Sequence, residues 1–195
     1  MPVTPVQRMR RTVSWVAALA VLTVILFTKH DHGPYLAGIL KTAGFALVFL
    51  CVLGRIWCAV YIGGTKDREL CTDGPYSLCR NPLYLFSFFG VAGLMSVSQN
   101  LYLLILSIPL FWLYYHFVIT SEEKGLEKRF GKEFITYRSR TNRIIPSFRN
   151  YWSRERVEVS TKVMVRAISD AGVFLWILIF LELLEYVDIT KCLSA

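Results

Sequence analysis

"LYLFSFFGVAGLMSVSQNLYLLILSIPLFWLYYHFVIT", residues 83–120, runs without a single Lys, Arg, Asp or Glu. Two apolar stretches, Leu83 to Val97 and Leu101 to Thr120, flank the polar triplet Ser98-Gln99-Asn100. As a helix, about 20 apolar residues cross ~30 Å of hydrocarbon, so each stretch is at or near spanning length. The triplet reads as a short turn between two membrane helices.

The same pattern extends outward. Val13 to Thr28 holds no charge, and Ile39 to Leu53 holds only Lys41 near its start. Composition agrees: 195 residues, 54% hydrophobic and 18% charged, with mean hydropathy +0.45, are too apolar for a soluble domain and too short for several. The expected fold is all-α, a polytopic membrane helix bundle with four or five transmembrane helices. Arg8, Arg10 and Arg11 precede the first stretch as they would in a signal peptide. No small-residue cleavage site follows Phe27-Thr28-Lys29-His30, so this stretch is read as a retained helix.

Lys and Arg outnumber Asp and Glu by 22 to 14, a net charge of +8. Because the basic residues flank apolar stretches, they read as topology determinants, and no nucleic-acid partner is expected. Arg8, Arg10 and Arg11 place the N-terminus in the cytoplasm, and Lys29 to Pro34 and Ser98 to Asn100 become outer turns. Ser121 to Asp170 carries twelve Lys or Arg against seven Asp or Glu and falls on the cytoplasmic side.

A fifth apolar run, Ala171 to Leu181, continues through Glu182 and Glu185. A crossing that began at Ala171 would hold Glu182 about 17 Å deep, where an unpaired carboxylate is costly, so both a spanning and an interfacial placement stay open. The two glutamates share a helix face, and packing or an outer-end location is expected ahead of a proton or metal role. Of the five cysteines, Cys71 and Cys79 fall on the cytoplasmic side, where thiols stay reduced, and no zinc spacing is present. His30 and His32 flank Asp31 in a turn with no third ligand, so no metal is expected there.

Two loops on the cytoplasmic side carry the rest. Tyr61 to Pro82 contains Gly63-Gly64 and Asp73-Gly74-Pro75-Tyr76, both turn signals, and then Asn81 and Pro82 as the N-cap and first residue of the next helix. Arg80, Tyr76 and Tyr84 gather at that helix N-terminus, where free N–H groups favour an anionic group. In the second loop, Leu126, Phe130, Phe134 and Tyr137 recur at helical spacing, an amphipathic helix whose plain reading is to rest on lipid headgroups. Glu122 and Glu123 do not fit that reading, because two carboxylates face a negatively charged membrane surface.

Gly74-Pro75-Tyr76, Arg80-Asn81-Pro82-Leu83-Tyr84, Glu122-Glu123, Phe130-Gly131, Tyr137 and Arg143-Ile144-Ile145-Pro146, in this order, resemble the isoprenylcysteine carboxyl methyltransferase family and its relatives, the phospholipid N-methyltransferases. The resemblance covers roughly residues 40 to 148. It implies an enzyme with a cytoplasmic S-adenosylmethionine pocket, and a methyl acceptor that is lipid-like or otherwise apolar. Carried over residue by residue, it assigns cofactor binding to Arg68, Glu69, Leu70, Cys71, Tyr76, Arg80, Asn81, Pro82, Leu83, Tyr84, Glu122 and Glu123. The expected organisation is a helix pair over residues 1–60, a methyltransferase-like core over 61–148, and a basic linker with an apolar helix over 149–195.

Two departures bear on the acceptor. Asn81 stands where the family commonly has histidine; an amide donates and accepts hydrogen bonds but has no acid–base role near neutral pH. Enzymes acting on a prenylcysteine carboxylate carry an arginine about one turn before the glutamates, and His116 to Ser121 supplies none. An amine, thiol or hydroxyl acceptor is therefore preferred over a carboxylate. His116 is the candidate base, with an aromatic belt as its competing reading, and Arg143 is the candidate contact to an anionic headgroup. A nicotinamide-dependent membrane reductase and a non-catalytic scaffold are the alternatives.

Overall fold

The computed structural model describes residues 34–65, 69–157, 159 and 161–193. The expected helix over Val13 to Thr28, the His30-Asp31-His32 turn and Arg68 lie outside the described residues. Within them the chain forms six α-helices and no strand: α1 Pro34–Thr65, α2 Pro75–Leu78, α3 Pro82–Val97, α4 Leu101–Phe130, α5 Lys132–Arg140 and α6 Thr161–Leu193. A 3-10 turn, Phe148–Asn150, precedes α6. The fold is an all-α membrane helix bundle.

Among the described residues, three segments are long and apolar enough to cross a bilayer: Tyr35–Gly63, Leu101–Phe130 and Thr161–Val187. The fourth apolar helix, α3, has 16 residues and is about 24 Å long, short of the hydrocarbon thickness. Its C-terminal half, from Ala92 to Val97, is buried, because α1, α4 and α6 all pack on it. Glycines bring the backbones of α1 and α3 together: a Cβ on Gly44 would lie 2.7 Å from the Gly93 carbonyl oxygen, and one on Gly93 2.8 Å from that of Gly44. Close small-residue contact is how helices associate where lipid removes the hydrophobic incentive.

Helix α4 starts where Asn100 caps it, its side chain accepting from Leu103 N at 3.1 Å. At 30 residues it is about 45 Å long and outruns the bilayer, so its last turns carry Glu122 and Glu123 beyond the apolar span. The single amphipathic helix expected across Leu126 to Tyr137 is instead two pieces. Gly131, at φ 52°, breaks the chain between Phe130 and Lys132, and α5 folds back toward the loop before α3.

The fifth apolar run is likewise longer than the sequence indicated. Helix α6 begins at Thr161, so Glu182 lies about 32 Å along it rather than at mid-depth. There Glu182 and Glu185 each place a carboxylate oxygen 2.9 Å from Lys41 Nζ on α1, and Gln99 donates to Glu185 at 3.3 Å. The packed location, near the far end of the helix, is the one observed.

Candidate functional site

The loop between α1 and α3 is held from both sides. Gly74, at φ 55°, turns the chain directly under the Tyr61 ring, which leaves no room for a Cβ. Asp73 is fully buried and accepts from Arg154 Nε at 2.5 Å and Nη2 at 3.2 Å, and the Cys71 thiol also faces it at 3.6 Å. Residues 147–154 run across this loop as a strap. Gly74 N donates to Trp152 O at 2.8 Å, Trp152 N to Ser77 Oγ at 3.2 Å, and Ser147 N to Leu78 O at 2.9 Å, while the Tyr61 and Ser153 hydroxyls meet at 2.7 Å.

Asn81 occupies the N-cap of α3 with Pro82 at the first helical position, as its sequence suggests. Its side chain does not cap the helix. Nδ2 donates to Glu123 Oε1 at 3.0 Å and to Arg143 O at 3.1 Å. Arg80 Nε donates to the same Glu123 oxygen at 3.0 Å, and its Nη1 to the carbonyls of Arg138 and Thr141 at 3.0 and 2.7 Å. Arg143 Nε stands 3.3 Å from Glu123 Oε2, an ion pair without hydrogen-bond alignment, and its Nη2 donates to Thr120 Oγ1 at 2.6 Å. The Glu123 side chain is 13% exposed, so these are largely desolvated pairs. A carboxylate has about four acceptor sites. With Oε1 taken twice and Oε2 facing only Arg143, it keeps capacity for a ligand hydroxyl or amine.

This cluster closes one end of a cleft of about 190 Å³. Ile62, Leu70, Leu126, Phe130 and Phe134 give it apolar walls, and Glu69 and Arg129 give it charge. Tyr137 joins the α5 side to the loop, its hydroxyl donating to Tyr76 O at 2.6 Å. Burial pushes the Tyr76 and Tyr137 phenols well above their ordinary range, and lifts the Cys71 thiol to about 12 and the Cys79 thiol to about 11. All four stay neutral, so none is a ready nucleophile. A larger basin of about 690 Å³ shares Tyr137 and is lined by Thr72, Ser77, Thr136 and Trp152 among others. It lacks both the Glu123 cluster and the apolar walls, which makes the smaller cleft the candidate site.

Of the residues assigned to a cofactor from sequence, Glu69, Leu70, Cys71, Tyr76, Arg80, Asn81 and Glu123 line this cleft together. Pro82, Leu83, Tyr84 and Glu122 do not. Successive helical residues diverge by about 100°, so of the residues around the start of α3 only Arg80 and Asn81 face the cleft. Leu83 packs on the buried cluster of Cys58, Cys71 and Tyr76 instead, and the Tyr84 ring meets that of Tyr115 at a tilt of 49°, ring centres 4.9 Å apart, in a cluster with Val118 and Ile119. Glu122 is exposed beside its inward-facing neighbour. His116 is exposed and meets Phe117 edge-on, so it lies outside the cleft lining, while Arg143 bears on the cleft only through Glu123.

Ile62, Leu126, Arg129, Phe130, Phe134 and Tyr137 were not foreseen as lining residues. The stripe from Leu126 to Tyr137 was visible, but its partner was not. The turn at Gly131 sets it against the α1–α3 loop rather than on headgroups, and Phe134 is completely buried.

A family model described as phospholipid methyltransferase matches residues 35–133. The chain is 34% identical over 173 residues to the nickel-cobalt-cadmium resistance protein NccN of Alcaligenes xylosoxydans xylosoxydans, covering 88% of this chain and 81% of that protein. It is 35% identical over 170 residues to the cobalt-zinc-cadmium resistance protein CzcN of Cupriavidus metallidurans, covering 86% and 78%. A shorter match, 32% over 81 residues, joins it to the protein-S-isoprenylcysteine O-methyltransferase of Schizosaccharomyces pombe, covering 42% of this chain and 34% of that protein. No solved structure matches the chain.

Proposed function

Because the chain belongs to the phospholipid methyltransferase family, a family of membrane methyltransferases, we propose that it transfers a methyl group from S-adenosylmethionine to a lipid-like acceptor at the cytoplasmic membrane face. The observation that carries this reading is the cleft in which Glu123, held by Arg80, Asn81 and Arg143, stands at one end of apolar walls.

S-adenosylmethionine would supply a methyl group on a sulfonium, already activated for displacement. What is left for the protein is alignment and exclusion of water. The donor set suits such a ligand. Ile62, Leu70, Phe130 and Phe134 offer surface for an adenine ring, Glu123 acceptor sites for hydroxyl or amino groups, and Arg129 at the rim a cation. At about 190 Å³ the cleft is below the ~300 Å³ low end of ligand pockets, so it would enclose only part of a whole cofactor.

An amine, thiol or hydroxyl acceptor fits better than a carboxylate. Arg80 is committed to Glu123 and two backbone carbonyls, which leaves it unavailable to a substrate carboxylate. The names of two relatives tie them to resistance against nickel, cobalt, zinc and cadmium. In that setting the role proposed here is modification of a membrane lipid.

Calorimetric titration of the detergent-solubilised protein with S-adenosylhomocysteine tests the reading. Saturable binding, lost in Glu123→Ala, is the expected result. Binding of NADPH in its place would turn the assignment to a reductase.

A further inference from the structure

The half-buried or buried cations described so far each have a carboxylate: Lys41 has Glu182 and Glu185, Arg80 and Arg143 share Glu123, and Arg154 has Asp73. Arg55 has none among the described residues. It sits inside the first span, about 12 Å along α1 from Gly63, where that span ends. Side chains lean toward the N-terminus of their own helix, which carries the Arg55 guanidinium further into the bundle and away from the cleft end.

There Nη1 donates to Ser87 Oγ on α3, and the guanidinium carbon lies 5.5 Å from the centre of the Phe174 ring on α6. Ser87 gives its own proton to Leu83 O at 2.7 Å, so it accepts from the arginine without neutralising it. Arg55 Nε is buried with no hydrogen-bond partner. A guanidinium is always charged and carries five N–H donors, and a hydroxyl and an aromatic face satisfy little of that. A cation left this way inside a membrane bundle is costly, and such residues mark ligand sites.

We propose that Arg55, steadied by Ser87 at the junction of α1, α3 and α6, is a binding site for the phosphate of a membrane phospholipid. The planar fork of a guanidinium matches two phosphate oxygens, and basic pockets between membrane helices hold lipid headgroups in this way. The lipid source follows from position. Around Arg55 the flanks of α1 present exposed Leu50 and Leu53, surfaces for acyl chains and not for a soluble ion. Seven residues, about 10 Å along α1, separate Arg55 from Ile62 in the cleft, so the site stands whether or not the cleft binds a cofactor.

Native mass spectrometry of the detergent-purified full chain tests this with phosphatidylethanolamine, the matching diacylglycerol and inorganic phosphate as probes. The wild type is expected to retain one phospholipid, and Arg55→Met about tenfold less, the loss of one charge-assisted contact. Arg55→Lys keeps the charge without the fork and is expected to bind about threefold more weakly, which carries the test if the Met variant does not fold. Equal retention of phospholipid by the wild type and either variant would overturn the site. Retention of diacylglycerol as strong as that of phospholipid, or displacement of the lipid by inorganic phosphate, would overturn the lipid phosphate as its ligand.

Discussion

Asp73 and Arg154, 81 residues apart, form a two-point ion pair in which the carboxylate has no solvent-exposed surface. The pair clamps the strap of residues 147–154 onto the loop that supplies Leu70, Cys71 and Tyr76 to the cleft. The family match ends at residue 133, so this clamp lies partly outside the shared region.

Removing one partner of that clamp strands a buried charge. Arg154→Ala is expected to cost about 3 kcal/mol, the low end for a broken buried pair, because the arginine side chain is 34% exposed. Asp73→Asn combined with Arg154→Met is expected to cost less than Arg154→Ala alone. Thermal melting of the detergent-solubilised variants reads both, and equal melting of Arg154→Ala and wild type would show that the pair does not hold the loop.

Glu123→Ala leaves Arg80 and Arg143 without their carboxylate, so S-adenosylhomocysteine should bind at least about tenfold more weakly, roughly 1.4 kcal/mol. Glu182→Ala, at the far end of the bundle beside Lys41, should bind like the wild type. Calorimetry on the two variants separates the ends of the molecule; the reverse pattern would move the site away from the cleft.

At the α1–α3 crossing, Gly93→Val puts a side chain against the Gly44 carbonyl and the Val48 backbone. Overpacking of this kind costs about 1–3 kcal/mol, and rigid backbone neighbours place it at the upper end. Gly125→Ala, with nothing within 4 Å of the added carbon, should instead stabilise helix α4 by up to about 1 kcal/mol. Unfolding monitored by circular dichroism should rank the two variants on opposite sides of the wild type.

The buried thiols make stability fall in alkali. Cys79 ionises at about 11 and Cys71 at about 12 in the folded chain, against an ordinary value of 9.0. Their contribution is full below about pH 9, where folded and unfolded chains both hold the proton. It is lost as pH climbs toward 11 to 12, because the unfolded chain releases its proton first. Melting temperature should therefore drop between about pH 9 and pH 10.5, and the drop should shrink in Cys79→Ala.

Much of the architecture is written locally. Uncharged stretches such as Leu83 to Val97 reveal membrane helices because spanning length and apolar composition are properties of consecutive residues. Asn81-Pro82 reveals a helix start for the same reason, since a proline needs no hydrogen-bond partner there. Helix ends were less legible: α6 begins ten residues before its uninterrupted apolar run, and α4 continues ten beyond Thr120, because an amphipathic or charged turn extends a helix without changing its period.

The site divides along the same line. Arg80 stood out beside a helix N-terminus and Glu123 as a carboxylate out of place on a lipid-facing helix, while Asn81 joined the site only through the family resemblance. That Arg80 and Asn81 share one Glu123 carboxylate oxygen could not be read, nor that Tyr137 reaches back to Tyr76. Composition and periodicity alone establish the helices, their apolar faces and the residues that need pairing. Only the tertiary structure decides which faces meet, because in a bilayer many apolar faces pack almost equally well. The choice then falls to a few long-range contacts: the turn at Gly131, the Gly44–Gly93 crossing, the Asp73–Arg154 clamp, and Arg55, whose want of a carboxylate among the described residues becomes evident only once its neighbours are in place.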